Sequence, residues 1–163
     1  MSRKWVINAS PTIALAKISQ IGLLSKLCSE IVIPQGVVQE IECGPENDPA
    51  RIWLAEGGSA WIREVSQIDP EIANYNLGLG ESEVMAWAYH HAGFEAILDD
   101  RAAKNAARML GIPVRGTIGI ILLAKQEGRV SQVKPLLYQL VQQGLRVSPS
   151  VLEAALKLVN ESG

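Results

Sequence analysis

Ala96-Ile97-Leu98-Asp99-Asp100-Arg101 is a short apolar run that ends in two adjacent carboxylates and passes at once into a helix-like stretch, Ala102 to Leu110. A strand that delivers acidic side chains at its carboxyl end and then becomes a helix is the repeating unit of open α/β sheets. On either side, short β-type runs alternate with helical patterns: Trp5 to Asn8, Ile31 to Ile33, Ile62 to Val65, Glu95 to Leu98 and Pro113 to Arg115. This alternation predicts a central, mostly parallel sheet flanked by helices.

Punctuation supports the same reading. Ser10 with Pro11, and Ser148 with Pro149, each read as an N-cap followed by a first-turn proline, while Gly93, Gly111, Gly128 and Gly144 fall where helices should stop. Gly44 to Pro49 is turn-rich and Gly57-Gly58 breaks the chain again, so the middle of the sequence reads as a loop or lid region. The 163 residues are expected to form a single domain, residues 1–163, with 135–163 as a C-terminal helical extension. That extension carries amphipathic patterns, including Val151, Leu152, Ala155, Leu158 and Val159, suited to covering the sheet or forming a homo-oligomer interface.

Composition narrows the function classes. No run approaches the roughly 18 apolar residues of a membrane span, and the amino terminus enters a strand pattern without a signal sequence, so a soluble cytoplasmic protein is expected. Cys28 and Cys43 have neither CxxC spacing nor nearby histidines, which argues against zinc and for small buried or half-buried thiols. A net charge of −2 gives no general basic field, so any contact with nucleic acid must be local or made by an oligomer. There is no GxxxxGK[ST] loop, and Gly78-Leu79-Gly80 lacks the third glycine and the first-strand location of a dinucleotide site.

Three further positions place a polar group where apolar patterning predicts a strand end or a core-facing site: Asn8, Glu40 and Glu81. Val37, Glu40 and Ile41 stand at i, i+3 and i+4, which puts a carboxylate on the apolar side of a helix. Glu81 opens the helix expected from Gly80 to Ala92, on the face shared by Val84 and Ala88. An ionised carboxylate in such a place requires a partner, either a cation such as Arg115 for Glu40, a helix dipole for Glu81, or a metal ion. Asp99 and Asp100 leave a strand in different directions, so capping the following helix accounts for one and frees the other. Asp100 is expected to face the metal, with Asp99 secondary. Scattered Asp and Glu suit Mg2+ or Mn2+, and metal-assisted attack of water on a phosphodiester is the natural chemistry.

The remaining polar residues sort around this cluster. Ser10 and Thr117 are candidate hydroxyls for water or phosphate, with a helix N-capping role as the alternative. Arg101, Lys104, Arg108 and Arg115 are candidates for phosphate contacts, with solvated helix charges as the alternative. His90 and His91 end a helix and read as surface residues, and the four tryptophans as core or interface groups.

The blocks Val6-Ile7-Asn8-Ala9-Ser10-Pro11, Ile33-Pro34 through Glu40-Ile41, Gly80-Glu81-Ser82-Glu83, Leu98-Asp99-Asp100-Arg101 and Gly116-Thr117-Ile118-Gly119, in this order, resemble the PIN domain nucleases. The resemblance is closest to the DUF3368 branch, related to toxin–antitoxin ribonucleases, and covers nearly the whole chain. It implies a three-layer α/β/α domain in which acidic residues matching Glu40, Glu81 and Asp100 converge to bind magnesium or manganese and cut single-stranded RNA. The family usually carries Asp where this chain has Asn8. An amide oxygen still ligates, but loss of its charge weakens a divalent site by something on the order of 1 to 3 kcal/mol. Two alternatives stay open: a metal-dependent ribonuclease using Asn8, Glu40, Glu81 and Asp100, or a weakened PIN-like module that binds RNA or an antitoxin-like protein.

Overall fold

The computed structural model describes residues 3–161. Five strands form one all-parallel sheet: β1 (Lys4–Ile7), β2 (Glu30–Pro34), β3 (Ile62–Arg63), β4 (Phe94–Ile97) and β5 (Val114–Arg115), in the order β3-β2-β1-β4-β5. Trp5, Val6 and Ile7 of β1, and Ala96 and Ile97 of β4, are fully buried. Such near-continuous apolar strands are what a sheet covered on both faces requires.

Ten helices follow among the described residues: α1 (Ala9–Lys17), α2 (Leu23–Leu27), α3 (Gln35–Glu42), α4 (Pro49–Glu56), α5 (Pro70–Ala73), α6 (Leu79–His90), α7 (Arg101–Met109), α8 (Thr117–Gln126), α9 (Lys134–Gln142) and α10 (Pro149–Leu158). Helix α6 lies across β1, β2 and β4 and packs on α3, while α8 packs on α1, α2, α9 and α10. The arrangement is a three-layer α/β/α fold, with the sheet wholly rather than mostly parallel. No helix among the described residues is long and apolar enough to cross a membrane.

The order of strands fixes where a site can form. The chain runs outward from β1 through β2 to β3, then returns to the other side of β1 as β4 and β5. Neighbouring crossovers therefore diverge between β1 and β4, and the crevice beyond the carboxyl ends of these two strands is the topological switch point. Asn8 follows β1 there, and Asp99 and Asp100 follow β4 there. Asn8 N–H donates to Ile97 O at 3.1 Å, which ties the two strand ends together.

Local chemistry corrects several sequence expectations. Ser10 is not the N-cap of α1: Asn8 is, with extended φ −82° and ψ 168°, and Ser10 and Pro11 lie inside the first turn. Pro11 is tolerated there because the first helical N–H groups have no intrahelical acceptor in any case. Thr117 is likewise the first residue of α8 rather than its cap, which is Gly116. Ser148 does cap α10 as expected, accepting from Val151 N–H. The four glycines expected to stop helices do so with φ of 72° to 108°. The region read as loop between Gly44 and Gly58 contains α4, capped by Asp48, whose side chain accepts from Ala50 N–H at 2.9 Å. Cys28 is buried, which pushes its thiol up to about 12, but Cys43 is exposed.

Candidate functional site

Asn8 supplies the most informative atom of the switch-point crevice. The residue is 4% exposed, yet its Oδ1 has no hydrogen-bond partner, one of two such buried side-chain atoms among the described residues. A buried carbonyl oxygen without a donor is costly, of order 1 to 3 kcal/mol, and such an atom calls for an ion or water. The geometry has a simple origin: the Asn8 backbone carbonyl receives Thr12 N–H and Thr12 Oγ1–H as in any capped helix, but the N3 position that a cap side chain would hold is Pro11, which has no N–H to donate.

Four carboxylates surround the same sheet edge, and each is held by the N-terminal amides of a helix. Asp100 is the N-cap of α7 and accepts from Ala103 N–H at 2.9 Å through Oδ2. Asp99 accepts from Thr117 N–H at 2.8 Å and from Thr117 Oγ1–H, so it caps α8 rather than α7. Glu81 accepts from Gly78 N–H at 3.3 Å at the start of its own helix α6. Glu40 accepts from Gly80 N–H at 3.0 Å and thus caps α6 from α3. Helix N-termini stabilise negative charge, which lets four anions stand at one sheet edge without four cations. Asp100 Oδ1, Glu81 Oε2 and Glu40 Oε2 make no hydrogen bond among the described residues.

Glu81 lies where these charges meet. Its pKa is raised, first by burial and then by the negative charges of Asp100 and, more weakly, Glu40; its bond from Gly78 N–H opposes the shift. Glu81, Asp100 and Glu40 thus form one electrostatically connected group. Among the described residues no three acidic, histidine or cysteine side chains make a ready-built ion cage. What these residues could offer a cation is oxygen alone, from the carboxylates of Asp100, Glu81 and Glu40 and from the amide of Asn8. All-oxygen donors are the type that Mg2+ and Mn2+ prefer, whereas zinc prefers cysteine and histidine.

Other sequence candidates land as follows. Glu40 is not on the buried face of α3: it is exposed, and Val37, Val38 and Ile41 are the residues that pack inward. Arg115 does not pair with Glu40; it pairs with Glu95 at 3.3 Å and lies over the Trp5 ring. Thr117 is fully buried and donates its hydroxyl to Asp99. Asp100, expected as the group left free by capping, is itself a cap. Ser10 and Arg101 line a cleft of about 570 Å3 together with Asp99 and Asp100. Lys104 lines an adjoining cleft of about 590 Å3. His90 pairs with Asp69, and His91 stacks on Trp87, so both are engaged at the surface away from these clefts.

Sequence reasoning missed Glu83. Its carboxylate is buried and accepts from Gly36 N–H at 2.8 Å, at the start of α3. Helices α3 and α6 therefore cap each other: Glu83 of α6 holds Gly36, and Glu40 of α3 holds Gly80. Both amides belong to glycine for a steric reason, since a Cβ on Gly36 would stand 2.9 Å from Glu83 Oε1, and one on Gly80 2.5 Å from Glu40 Oε1. The available signal was the pairing of a glycine near each helix start with a glutamate one turn later, Gly36 with Glu40 and Gly80 with Glu83.

Comparison with known proteins places the chain. The family described as DUF3368: PIN domain matches residues 4–161. No curated protein and no solved structure matches it.

Proposed function

The chain belongs to the PIN domain family DUF3368, and from that premise we propose that it is a Mg2+- or Mn2+-dependent ribonuclease that hydrolyses phosphodiesters of single-stranded RNA. The observation that carries this reading is the buried, unpartnered Oδ1 of Asn8 at the end of β1, tied through its N–H to the end of β4, the strand that leads into Asp100 and its electrostatic neighbour Glu81. Asn8, Glu40, Glu81 and Asp100 would hold the ion, and Asp99 would act mainly by fixing Thr117 and the start of α8. A bound divalent ion supplies Lewis-acid polarisation of the phosphoryl oxygen and lowers the pKa of water. Burial and the charge of Asp100 raise the pKa of Glu81 in the metal-free protein, and a bound divalent ion would offset that repulsion and hold Glu81 as a carboxylate. Ser10, Arg101 and Lys104 line the approach and orient the phosphate backbone.

A second reading is favoured by one residue. Asn8 is neutral where the family usually carries Asp, and a weaker ion site would leave a module that binds RNA or a small antitoxin-like protein without cutting it. Calorimetric titration with Mn2+, followed by cleavage of labelled single-stranded RNA, separates the two. Saturable binding and cleavage, both lost in Asp100→Asn, are the expected result. No Mn2+ binding at millimolar concentrations, or cleavage that survives Asp100→Asn, would remove the ribonuclease assignment.

A further inference from the structure

The cations of this chain are unevenly paired. Arg3, Lys4, Arg115 and Lys125 sit in salt bridges, Arg51 and Arg63 bond to backbone carbonyls, and Lys134 lies over Tyr138. Among the described residues Lys17, Lys26, Arg101, Lys104, Arg108, Arg129, Arg146 and Lys157 have no such side-chain partner, and four of these eight, Lys17, Arg101, Lys104 and Arg146, line the two clefts flanking Asp99. The two clefts share Asp99, Arg101, Leu145 and Arg146 along their walls, so they adjoin. In a chain of net charge −2 this is a local cationic rim around an acidic centre.

Arg146 comes from a segment no periodic pattern singled out. Gly144, at φ 108°, ends α9, with Leu145 N–H returning to Leu140 O at 3.0 Å. Ser148 then caps α10. Held at both ends, residues 145–147 cross between the clefts. Leu145 and Val147 are half-buried and Arg146 between them is exposed, the alternation of an extended segment that turns every second side chain outward.

We infer that residues 144–148 are the second wall of a single-stranded RNA channel, in which Arg146 and Lys17 position the phosphate backbone opposite Arg101 and Lys104. This inference rests on the ribonuclease reading of the same site. Each cleft falls in the roughly 300 to 1,000 Å3 range of ligand sites. Unpaired guanidinium and ammonium groups, exposed at Lys17, Arg101 and Arg146 and half-buried at Lys104, keep their donors available for phosphate oxygens, and Arg offers a bidentate fork. The cations fix the path of the strand over Asp100 and carry no sequence preference. Arg146 and Lys17 are positioning residues rather than catalytic ones.

The test is fluorescence anisotropy of a labelled oligouridylate in EDTA, where metal-dependent cleavage is suspended, at salt between about 50 and 200 mM. Four phosphate contacts predict a slope of log affinity against log salt near −3, at about −0.7 per contact on single strands. Arg146→Ala should flatten the slope by about 0.7 and weaken binding about fivefold at 0.1 M salt. Lys17→Ala/Arg146→Ala should lose about twice that slope, and Arg146→Lys should retain it. Lys26→Ala, an exposed and unpaired cation outside both clefts, should leave the slope unchanged. An unaltered slope in Arg146→Ala, with wild-type binding intact, would overturn this inference and leave the ribonuclease reading standing. Absence of RNA binding by the wild type would overturn both. Displacement of the RNA by polyglutamate at equal charge would assign the rim to an acidic protein surface, and would also overturn the inference.

Discussion

Replacing Asn8 by aspartate puts the proposed ion site under direct strain. Asn8 is 4% exposed, and its Oδ1 has no donor. A carboxylate in its place carries a buried charge with no counter-ion, at a sheet edge already lined by Glu81 and Asp100. Leaving a buried charge uncompensated costs about 3 to 5 kcal/mol. For a chain of this size about 2 to 4 °C of melting temperature accompanies each kcal/mol, so Asn8→Asp should melt about 6 to 20 °C lower than the wild type in EDTA. Saturating Mn2+ should reverse the order of effects. The added charge should tighten ion binding by about 1 to 3 kcal/mol, or roughly 5- to 150-fold, and the variant should show the larger metal-induced rise. Differential scanning calorimetry with and without MnCl2 measures both quantities. Asn8→Leu is the control: it removes the orphaned oxygen, should lie within about 1 kcal/mol of the wild type in EDTA, and should lose the metal-induced rise. An Asn8→Asp protein as stable as the wild type in EDTA, or equal metal responses in all three proteins, would refute the argument that Asn8 faces the ion site.

Glu81→Gln tests the strain at the same site through pH. A carboxyl with a raised folded pKa contributes stability below its unfolded value, near 4.3, and that contribution is lost as pH rises through the folded value; Glu81→Gln should therefore match or exceed the wild type at neutral pH in EDTA, with no such advantage in acid, and a constant difference across pH would contradict the raised pKa. Glu83→Ala should cost about 1.5 to 3 kcal/mol in urea unfolding, because Gly36 N–H loses a charged acceptor, while Glu83→Gln keeps most of the stability; equal losses for both variants would show that charge rather than the bond matters. Glu161 binds Val133 N–H and Lys134 N–H and pairs with Lys125, and these backbone bonds hold its pKa down. Its contribution is present above the ordinary carboxylate value and lost as pH falls through the lowered one. The Val133 and Lys134 amide resonances should titrate below about 4.3, and a midpoint at or above that value would show that the bonds do not form in solution.

How far the sequence could be read depended on whether the deciding interactions were local. Trp5 to Ile7 and Ala96 to Leu98 were legible because strands buried on both faces are nearly all apolar. The β3 run from Ile62 to Val65 shrank to two residues because it lies at the sheet edge, where only Ile62 and Arg63 find partners on β2. Ser10 was mistaken for a cap because the Ser-Pro pair fits that role and Asn8, two residues earlier, fits it equally well. The mutual capping of α3 and α6 joins residues 40 and 47 positions apart, so no window of helical periodicity contains it. The same periodicity put Glu40 on the apolar face, where one step of rotation, about 100° per residue, separates it from the buried Ile41. Arg146 lies in an aperiodic stretch, and only the folded chain sets it beside Arg101.

Capping and ion binding, which sequence reading treats as competing explanations for an acidic residue, coincide at this site. A carboxylate has two oxygens. Asp100, Glu81 and Glu40 each engage one with a helix N-terminal amide, and the other remains without a hydrogen bond. The amide fixes the direction of the carboxylate, and the positive end of the helix dipole offsets part of the repulsion among neighbours, so the cluster can persist before an ion arrives. Asp99 is the exception: both of its oxygens are taken by Thr117, which leaves it the weakest candidate ligand of the four. The consequence is a division of labour testable by one comparison. Thr117→Val, which removes only the hydroxyl held by Asp99, should lower stability by about 1 kcal/mol and leave Mn2+ affinity within a few-fold of wild type. Asp100→Asn preserves an acceptor for Ala103 N–H, so it should keep stability while losing the ion. If Thr117→Val abolished Mn2+ binding while Asp100→Asn did not, Asp99 rather than Asp100 would be the ligand, and the assignment drawn from the free oxygens would be wrong.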